Sequence, residues 1–137
     1  MKTKTLFTLL MVAAITFVMG CGGRRGGRQK LRGWQSNIDG SYKSEIFSGN
    51  TPFRGVTTFS SDGGKLGGTY ELDDNGEKVT GLLTKFAITG KNTMKCRWTD
   101  KNGEGNFYLT FSEDLSSFKG TWDSDGEGGQ SAWNGKR

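Results

Sequence analysis

One short pattern recurs along most of this 137-residue chain: a large apolar residue, any residue, and then glycine. Three copies continue through one more residue to an aromatic ring, and they are Ile38–Tyr42, Leu66–Tyr70 and Phe118–Trp122. Shorter copies are Phe53–Gly55, Val79–Gly81, Ile88–Gly90 and Trp133–Gly135. Because the apolar residue and the glycine are two positions apart, they lie on the same face of a β-strand. The pattern therefore predicts strands that each place an apolar group and a glycine on one dry face.

The other segments alternate in the same way. Met94, Cys96 and Trp98 fall on one face of an extended chain, with Lys95 and Arg97 on the other. No stretch shows an apolar stripe of helical period, so little helix is expected in the folded part. The predicted strands are residues 36–43, 53–60, 65–72, 77–84, 86–90, 93–99, 106–112, 117–123 and 131–136. Residues 77–90 alternatively form one long bent strand, which gives eight strands instead of nine.

Turn-forming residues separate these strands. Segments 61–64, 73–76, 100–103 and 125–129 supply Asp, Asn and Gly, which tolerate hairpin geometry. Strands so close in sequence are expected to pair as an antiparallel meander. A sheet with one dry face and no covering helix must curl on itself or fold into two layers. Glycine on the inward face favours curling, because it permits sharp bends and the close approach of a ring. We therefore predict an all-β domain closing into a small β-barrel, with a β-sandwich as the alternative.

Two strand sequences resemble those of a known group of barrels. Gly68-Thr69-Tyr70 and Gly120-Thr121-Trp122, with the meander around them, resemble small avidin-like and lipocalin-like β-barrels. The resemblance is at the level of strands and covers residues 36–136. It implies the architecture of a small barrel. It does not supply a matching set of ligand residues, so biotin binding is not inferred from it.

Residues 1–20 are typical of an export signal. Lys2 and Lys4 precede an apolar run, Leu6 to Val18, that is short for a membrane span. The next residues, Val18-Met19-Gly20-Cys21, resemble the lipobox of bacterial lipoproteins, although Met19 is unusual at its position. In that family the cysteine thiol receives a diacylglycerol, which implies that Cys21 is the lipid attachment site. An ordinary secretory signal and an uncleaved anchor are the alternatives, and all three place the domain outside the cytoplasm.

Residues 21–33 are expected to form the anchor cysteine and a flexible basic tether, followed by a barrel domain over residues 34–137. Seven of the 19 basic residues precede Gly33 and no acidic residue does, so the rest of the chain has 12 basic and 14 acidic residues. The overall charge of +5 thus belongs to the N-terminal region. This distribution argues against a nucleic-acid-binding domain. Beside a lipid anchor, the tether is expected to be attracted to anionic headgroups.

The chain contains no histidine. This excludes Ser-His-Asp and Cys-His hydrolases and the common histidine-ligated zinc sites. Cys96 lies on the dry face and is expected in the core, with a disulfide to Cys21 as the alternative in a secreted protein. We expect no enzyme activity and no cofactor, since no nucleophile and base are brought together by the sequence.

The remaining candidate sites are aromatic and acidic. Trp98, Trp122, Tyr42 and Tyr70 either fill the barrel or line its mouth and bind a small apolar or sugar-like ligand. Trp98 and Trp122 are expected at the same end, because strands 93–99 and 117–123 run in one direction when strand 106–112 lies between them. The residues Asp123, Asp125 and Glu127 are spaced like the first ligands of a calcium loop. Position twelve is Asn134 where that loop requires glutamate, so a solvated turn is the alternative.

These features predict an exported, lipid-anchored, non-catalytic binding or interaction module of the cell envelope, facing the periplasm or the exterior. Its expected partners are the membrane, through the anchor, and a small ligand or an envelope protein. Two alternatives remain: a purely structural envelope protein, and a small protein inhibitor acting through loops such as 48–53 or 100–105. An open interior with polar groups among its aromatics favours ligand binding, whereas a filled interior favours the alternatives.

Overall fold

The computed structural model describes residues 33–61 and 64–137, and residues 1–32 lie outside the described part. The predicted export signal, Cys21 and most of the tether therefore fall outside it. A short 3-10 helix, Gly33–Asn37, precedes eight strands: β1 (Gly40–Ser48), β2 (Thr51–Ser60), β3 (Gly67–Asp74), β4 (Glu77–Gly90), β5 (Thr93–Asp100), β6 (Gly103–Phe111), β7 (Ser117–Trp122) and β8 (Ser131–Lys136). In this part of the chain, no helix is both long enough and apolar enough to cross a membrane.

The eight strands form a closed antiparallel meander. Each strand pairs with the next one, and β8 returns to pair with β1. The barrel predicted from the single dry face is confirmed, and it is compatible with a small lipocalin-like or avidin-like barrel. β4 is one long strand, which settles the count at eight. It is interrupted by a register shift between Thr84 and Ala87, where Lys85 has a φ of 54°.

The first strand begins later than the sequence suggests. Residues 36–43 were expected to be extended, but Gly33–Asn37 forms a 3-10 helix and β1 starts at Gly40. Gly40 has a φ of 124°, a conformation that favours glycine and turns the chain into the barrel wall. Ile38 is nevertheless fully buried. The apolar residue of this copy of the pattern thus reaches the core from outside the strand.

The inward glycines explain the repeated pattern. Four of them are directly opposite a ring on the neighbouring strand, in the pairs Phe59–Gly68, Tyr70–Gly81, Trp98–Gly105 and Phe118–Gly135. A Cβ at Gly81 would collide with the Tyr70 ring, and one at Gly135 with the Phe118 ring. A Cβ at Gly105 would lie 2.8 Å from Nε1 of Trp98, whereas one at Gly68 would meet the Thr58 carbonyl and Leu83. In three of the four pairs the ring therefore occupies the space that a side chain on the next strand would need. The glycines leave space on the inner face of the wall, and aromatic rings on the neighbouring strands fill it.

The interior of the barrel is filled. A single cluster of buried side chains runs through it, including Tyr42, Phe59, Phe107, Phe118 and Trp133. Trp133 stacks on Phe107 with ring centroids 4.0 Å apart and an interplanar angle of 12°. Tyr42 instead presents edges to Phe59 and Phe118 at 5.8 and 5.4 Å. These are the offset and edge-to-face arrangements that aromatic rings favour.

Replacing Gly120 by valine tests whether the wall is crowded. A Cβ at this position would lie 2.5 Å from the Tyr108 carbonyl oxygen and 2.8 Å from Cε1 of Phe107. We expect Gly120→Val to lower the free energy of unfolding by about 1–3 kcal/mol, although valine is the better strand former. Urea unfolding measures the change. Thr121→Val, on the outward face of the same strand, is the control, and wild-type stability in Gly120→Val would contradict the crowding.

Candidate functional site

The turns after β1, β3, β5 and β7 form one end of the barrel, here called the tryptophan end. Trp98 and Trp122 meet there edge to face, with ring centroids 5.3 Å apart, so their predicted location at one end is confirmed. Nε1 of Trp98 donates a hydrogen bond to the Asp123 carbonyl oxygen at 2.8 Å. Nε1 of Trp122 donates to the Phe47 carbonyl oxygen, also at 2.8 Å. Since Trp98 is only 6% exposed, the pair closes this end.

The connection between β7 and β8 is fastened over the same end. The Asp123 carbonyl approaches Gly105 so closely that a Cβ there would collide with it. Farther along, Asp125 accepts two hydrogen bonds from the Arg97 guanidinium, one of them 2.9 Å long between Nη1 and Oδ1. The hydrogen bonds from Arg97, reinforced by its positive charge, lower the pKa of Asp125 below its usual value. This connection therefore seals the end instead of leaving a mouth.

The carboxylates of the calcium-like segment have other partners. Oδ1 of Asp123 accepts from the backbone N–H of Asn106 at 3.0 Å, and Asp125 is paired with Arg97. Glu127 is exposed, and no cluster of three or more potential metal ligands occurs among residues 33–61 and 64–137. A guanidinium beside Asp125 also opposes a second cation. The geometry therefore favours the structured turn over the calcium loop.

Tyr70 is held inside the barrel by a carboxylate. Its hydroxyl donates to Oδ2 of Asp100 at 2.6 Å, and its ring lies edge-on to Trp133 with centroids 4.8 Å apart. Burial, reinforced by the bond to Asp100, raises the pKa of Tyr70 far above its ordinary value. Sequence analysis did not single out Asp100. Its position two residues after Trp98 was the signal, since alternation places both on the inward face.

Tyr42 belongs to the opposite end, called here the N-terminal end and formed by the 3-10 helix with the connections after β2, β4 and β6. Tyr42 is fully buried and its hydroxyl donates to the Leu115 carbonyl oxygen at 2.7 Å. The guanidinium of Arg137 lies 4.8 Å from the Tyr42 ring centroid and donates to the carbonyl oxygens of Asn37 and Asp39. Trp34 packs on Phe111. This end is closed as well.

A chain of hydrogen bonds crosses the apolar interior between the two ends. Nε1 of Trp133 donates to Oγ1 of Thr57 at 3.0 Å, and Thr57 and Ser44 share a hydrogen bond of 2.7 Å. Oγ of Ser44 in turn donates to the Tyr42 carbonyl oxygen at 3.2 Å. Directed this way, every donor has an acceptor, as buried polar groups require. Sequence analysis missed both hydroxyl residues, although alternation with Tyr42 and Phe59 places them inward.

The four aromatic candidates are therefore parts of the core. Tyr42, Tyr70 and Trp98 are buried, Trp122 is half-buried, and every N–H or O–H among them has an acceptor inside the protein. Cys96 is buried too, and burial raises the pKa of its thiol far above the ordinary value. Neither a reactive thiolate nor a ring free to stack on a ligand is presented at these positions.

Two grooves among the described residues lie on the outer wall. One, of about 740 Å³, crosses β2, β3 and β4 and is lined by threonines and the exposed Leu82. The other, of about 1240 Å³, crosses β2, β1, β8 and β7 and is lined by Lys43, Arg54, Lys119 and Lys136. A partner could therefore bind to these surface grooves, whereas the filled interior offers no chamber for it.

The sequence matches no protein-family model, and comparisons with curated proteins and with solved structures find no match.

Truncating Trp98 tests whether the tryptophan end is closed. Because Trp98 is a core residue, Trp98→Ala should lose about 3–5 kcal/mol of unfolding free energy and should remove little of the acrylamide quenching, which arises at the half-buried Trp34 and Trp122. Trp122→Ala should cost less, because Trp122 is only half-buried. Urea unfolding and quenching titrations measure both. A small loss for Trp98→Ala, together with strong quenching in the wild type, would instead indicate an open mouth and revive the ligand pocket.

Tyr70 should make the fold sensitive to alkali. Its pKa is raised in the folded state, so the unfolded chain loses the phenolic proton first and stability falls as the pH rises above about 10. One such group contributes a slope of up to about 1.4 kcal/mol per pH unit. Tyr70→Phe should flatten this slope, whereas Tyr108→Phe, on the outward face, should not. Unfolding free energies between pH 7 and 11 measure the slopes, and equal slopes in all three proteins would contradict the assignment.

Proposed function

We propose that this chain is an exported, lipid-anchored, non-catalytic interaction module of the cell envelope that acts through the outer wall of its barrel. The observation that carries the proposal is the filled interior. The rings suggested as ligand residues are core residues with satisfied hydrogen bonds, and both grooves lie on the outside. A partner would therefore meet the barrel at its surface.

The anchoring part of the proposal rests on Val18-Met19-Gly20-Cys21 and the short apolar run before it. A basic tether and a barrel with both ends closed suit a domain displayed from a membrane, since the folded part needs no further element to complete its core. Such a protein would bring its wall to the membrane or to envelope components, facing the periplasm or the exterior.

The inhibitor alternative receives less support. The two segments considered for it are tight hairpins, with only Gly49 and Asn50 between β1 and β2, and Lys101 and Asn102 between β5 and β6. A two-residue turn offers little chain to insert into a protease or hydrolase cleft. The structural alternative differs from our proposal in having no partner at the wall, and the two are separated by experiments on wall residues.

Replacing Cys21 tests the anchor. Cys21→Ser should move the protein from the membrane fraction to a soluble or unprocessed form and remove the mass of the attached lipid. Cys96→Ala is the matched control, since Cys96 is buried in the core and should leave fractionation unchanged. Intact-protein mass and membrane fractionation are the measurements. Unchanged fractionation and an unmodified Cys21 in the wild type would refute lipid anchoring.

Native mass spectrometry of the full chain tests the surface mode of action. We expect the mass of the processed, lipidated chain without a retained small ligand. A stoichiometric apolar or sugar-like compound that survives purification would instead place the binding site in the interior and overturn the proposal.

A further inference from the structure

The outer wall formed by β2, β1, β8 and β7 carries a patch of positive charge. It consists of the exposed side chains of Lys43, Arg54, Lys119 and Lys136, and is called here the basic wall. Cross-strand pairing places Lys43 directly opposite Lys136, whereas Arg54 lies opposite Glu45. Neighbouring strands are about 4.8 Å apart, so four strands make a surface about 15 Å wide.

The charges of the domain are segregated. The surface that carries the basic wall is lined by five basic residues, the four of the wall and Arg137, and by one acidic residue, Glu45. The rest of residues 33–137 then holds seven basic and thirteen acidic residues, from the totals of 12 and 14. A domain that is slightly acidic overall therefore has one strongly basic side and an acidic remainder.

Glu45, opposite Arg54, offsets part of the charge of the patch, but it forms no ion pair with a cation of the wall. The five ion-pair contacts among the described residues involve Lys78, Lys91, Arg97 and Lys101, and none includes a cation of the wall. Two lysines directly opposite each other on paired strands repel and disfavour the sheet. The arrangement therefore does not stabilise the fold, and its positive charge stays available to an external anion.

We propose that the basic wall lies against the anionic lipid headgroups of the membrane to which the chain is attached. This inference deepens the proposed function and rests on its lipid anchor. The occupant follows from where the chain enters the barrel. Arg137, at the end of β8, binds the carbonyl oxygens of Asn37 and Asp39, so the segment leading from the tether joins the barrel beside the β8–β1 wall.

Charge complementarity extends from the wall to the preceding sequence. Residues 22–33 contain five basic residues and no acidic one, directly between the predicted anchor and the barrel. Cations near an anionic bilayer each strengthen attachment about fivefold, and the effect fades within about 10 Å at 0.1 M salt. The predicted anchor would keep the barrel close enough to the bilayer for the wall to come within that range, while the acidic remainder of the domain is repelled from the same surface.

The chemistry of the wall indicates contact with headgroups and not insertion. Lysine ammonium groups on flexible stems can follow a mobile layer of phosphates. The large exposed apolar side chains, Leu82 and Ile88, both lie on β4, which is across the barrel from the β8–β1 junction. The wall itself therefore has no apolar wedge to bury in acyl chains.

Lysine footprinting of the full chain tests this orientation. The protein is reconstituted in vesicles of phosphatidylcholine alone or mixed with phosphatidylglycerol, acetylated briefly, and mapped by peptide mass spectrometry. On anionic vesicles, Lys43, Lys119 and Lys136 should label about fivefold more slowly than in detergent. Lys85 and Lys95, on β4 and β5, should label at equal rates in both. Raising the salt from about 0.05 to about 0.5 M should abolish the protection.

A pair of matched variants shows whether the charges cause the orientation. Lys43→Gln combined with Lys136→Gln should remove the protection of Lys119 on anionic vesicles. Lys85→Gln combined with Lys95→Gln makes the same charge change elsewhere on the barrel and should preserve it. Equal protection of Lys119 in both variants would overturn the proposal.

The remaining outcomes separate this inference from the anchor. If the protein is retained in vesicles but all lysines label at equal rates, contact between the basic wall and the headgroups is refuted, and the lipid anchor is not. A chain retained by neither vesicle would refute both. Protection on phosphatidylcholine alone would exclude an electrostatic contact. Stronger protection by polyphosphate in detergent than by anionic vesicles would identify a soluble polyanion as the partner and overturn the membrane assignment.

Discussion

The contact between an inward glycine and the ring opposite it on the next strand determines much of this barrel. An eight-stranded barrel has an interior only wide enough for its own side chains or for one small ligand. Here the rings of Tyr70, Trp98 and Phe118 occupy part of that volume, and the glycines opposite them leave the space those rings need. The packing of rings against glycines that lets the sheet curl tightly also fills the space that an internal binding chamber would need.

Closure of the two ends follows from hydrogen bonds at the edges of this aromatic core. The indole groups of Trp98 and Trp122 donate to backbone carbonyls at one end, and Tyr42 donates to the Leu115 carbonyl at the other. An aromatic ring with a polar atom is suited to such a position, because the ring is buried while the N–H or O–H satisfies a loop carbonyl. Aromatic residues that could have lined a mouth are thus used to cover it, and any partner is left with the outer wall.

The sequence was sufficient for the fold and insufficient for the site. Period-two alternation and hairpin sequences predicted the meander, the barrel and the inward set Met94, Cys96 and Trp98, because these are local properties of a half-buried strand. The predicted start of β1, at residue 36, was wrong. The positive φ of Gly40 and the 3-10 helix before it depend on how the chain enters the barrel, which local alternation does not reveal. Whether Trp98 faces a ligand or a loop carbonyl depends on the path of the β7–β8 connection. The basic wall depends on which strands close the barrel, which the meander alone does not give.

Closure by β1 and β8 also imposes an order on folding. These strands are the most distant pair along the described chain, whereas every other pairing joins neighbours in sequence. Hairpins can form as soon as their two strands exist, but the last pairing must overcome the entropy of closing a loop that includes the whole meander. Until then β1 and β8 are open edges with unpaired backbone groups, the feature by which sheets aggregate. Pairing of the six residues of β8 with β1 therefore converts an assembly of hairpins into a closed barrel without open edges. The chain is most prone to aggregation before this pairing forms.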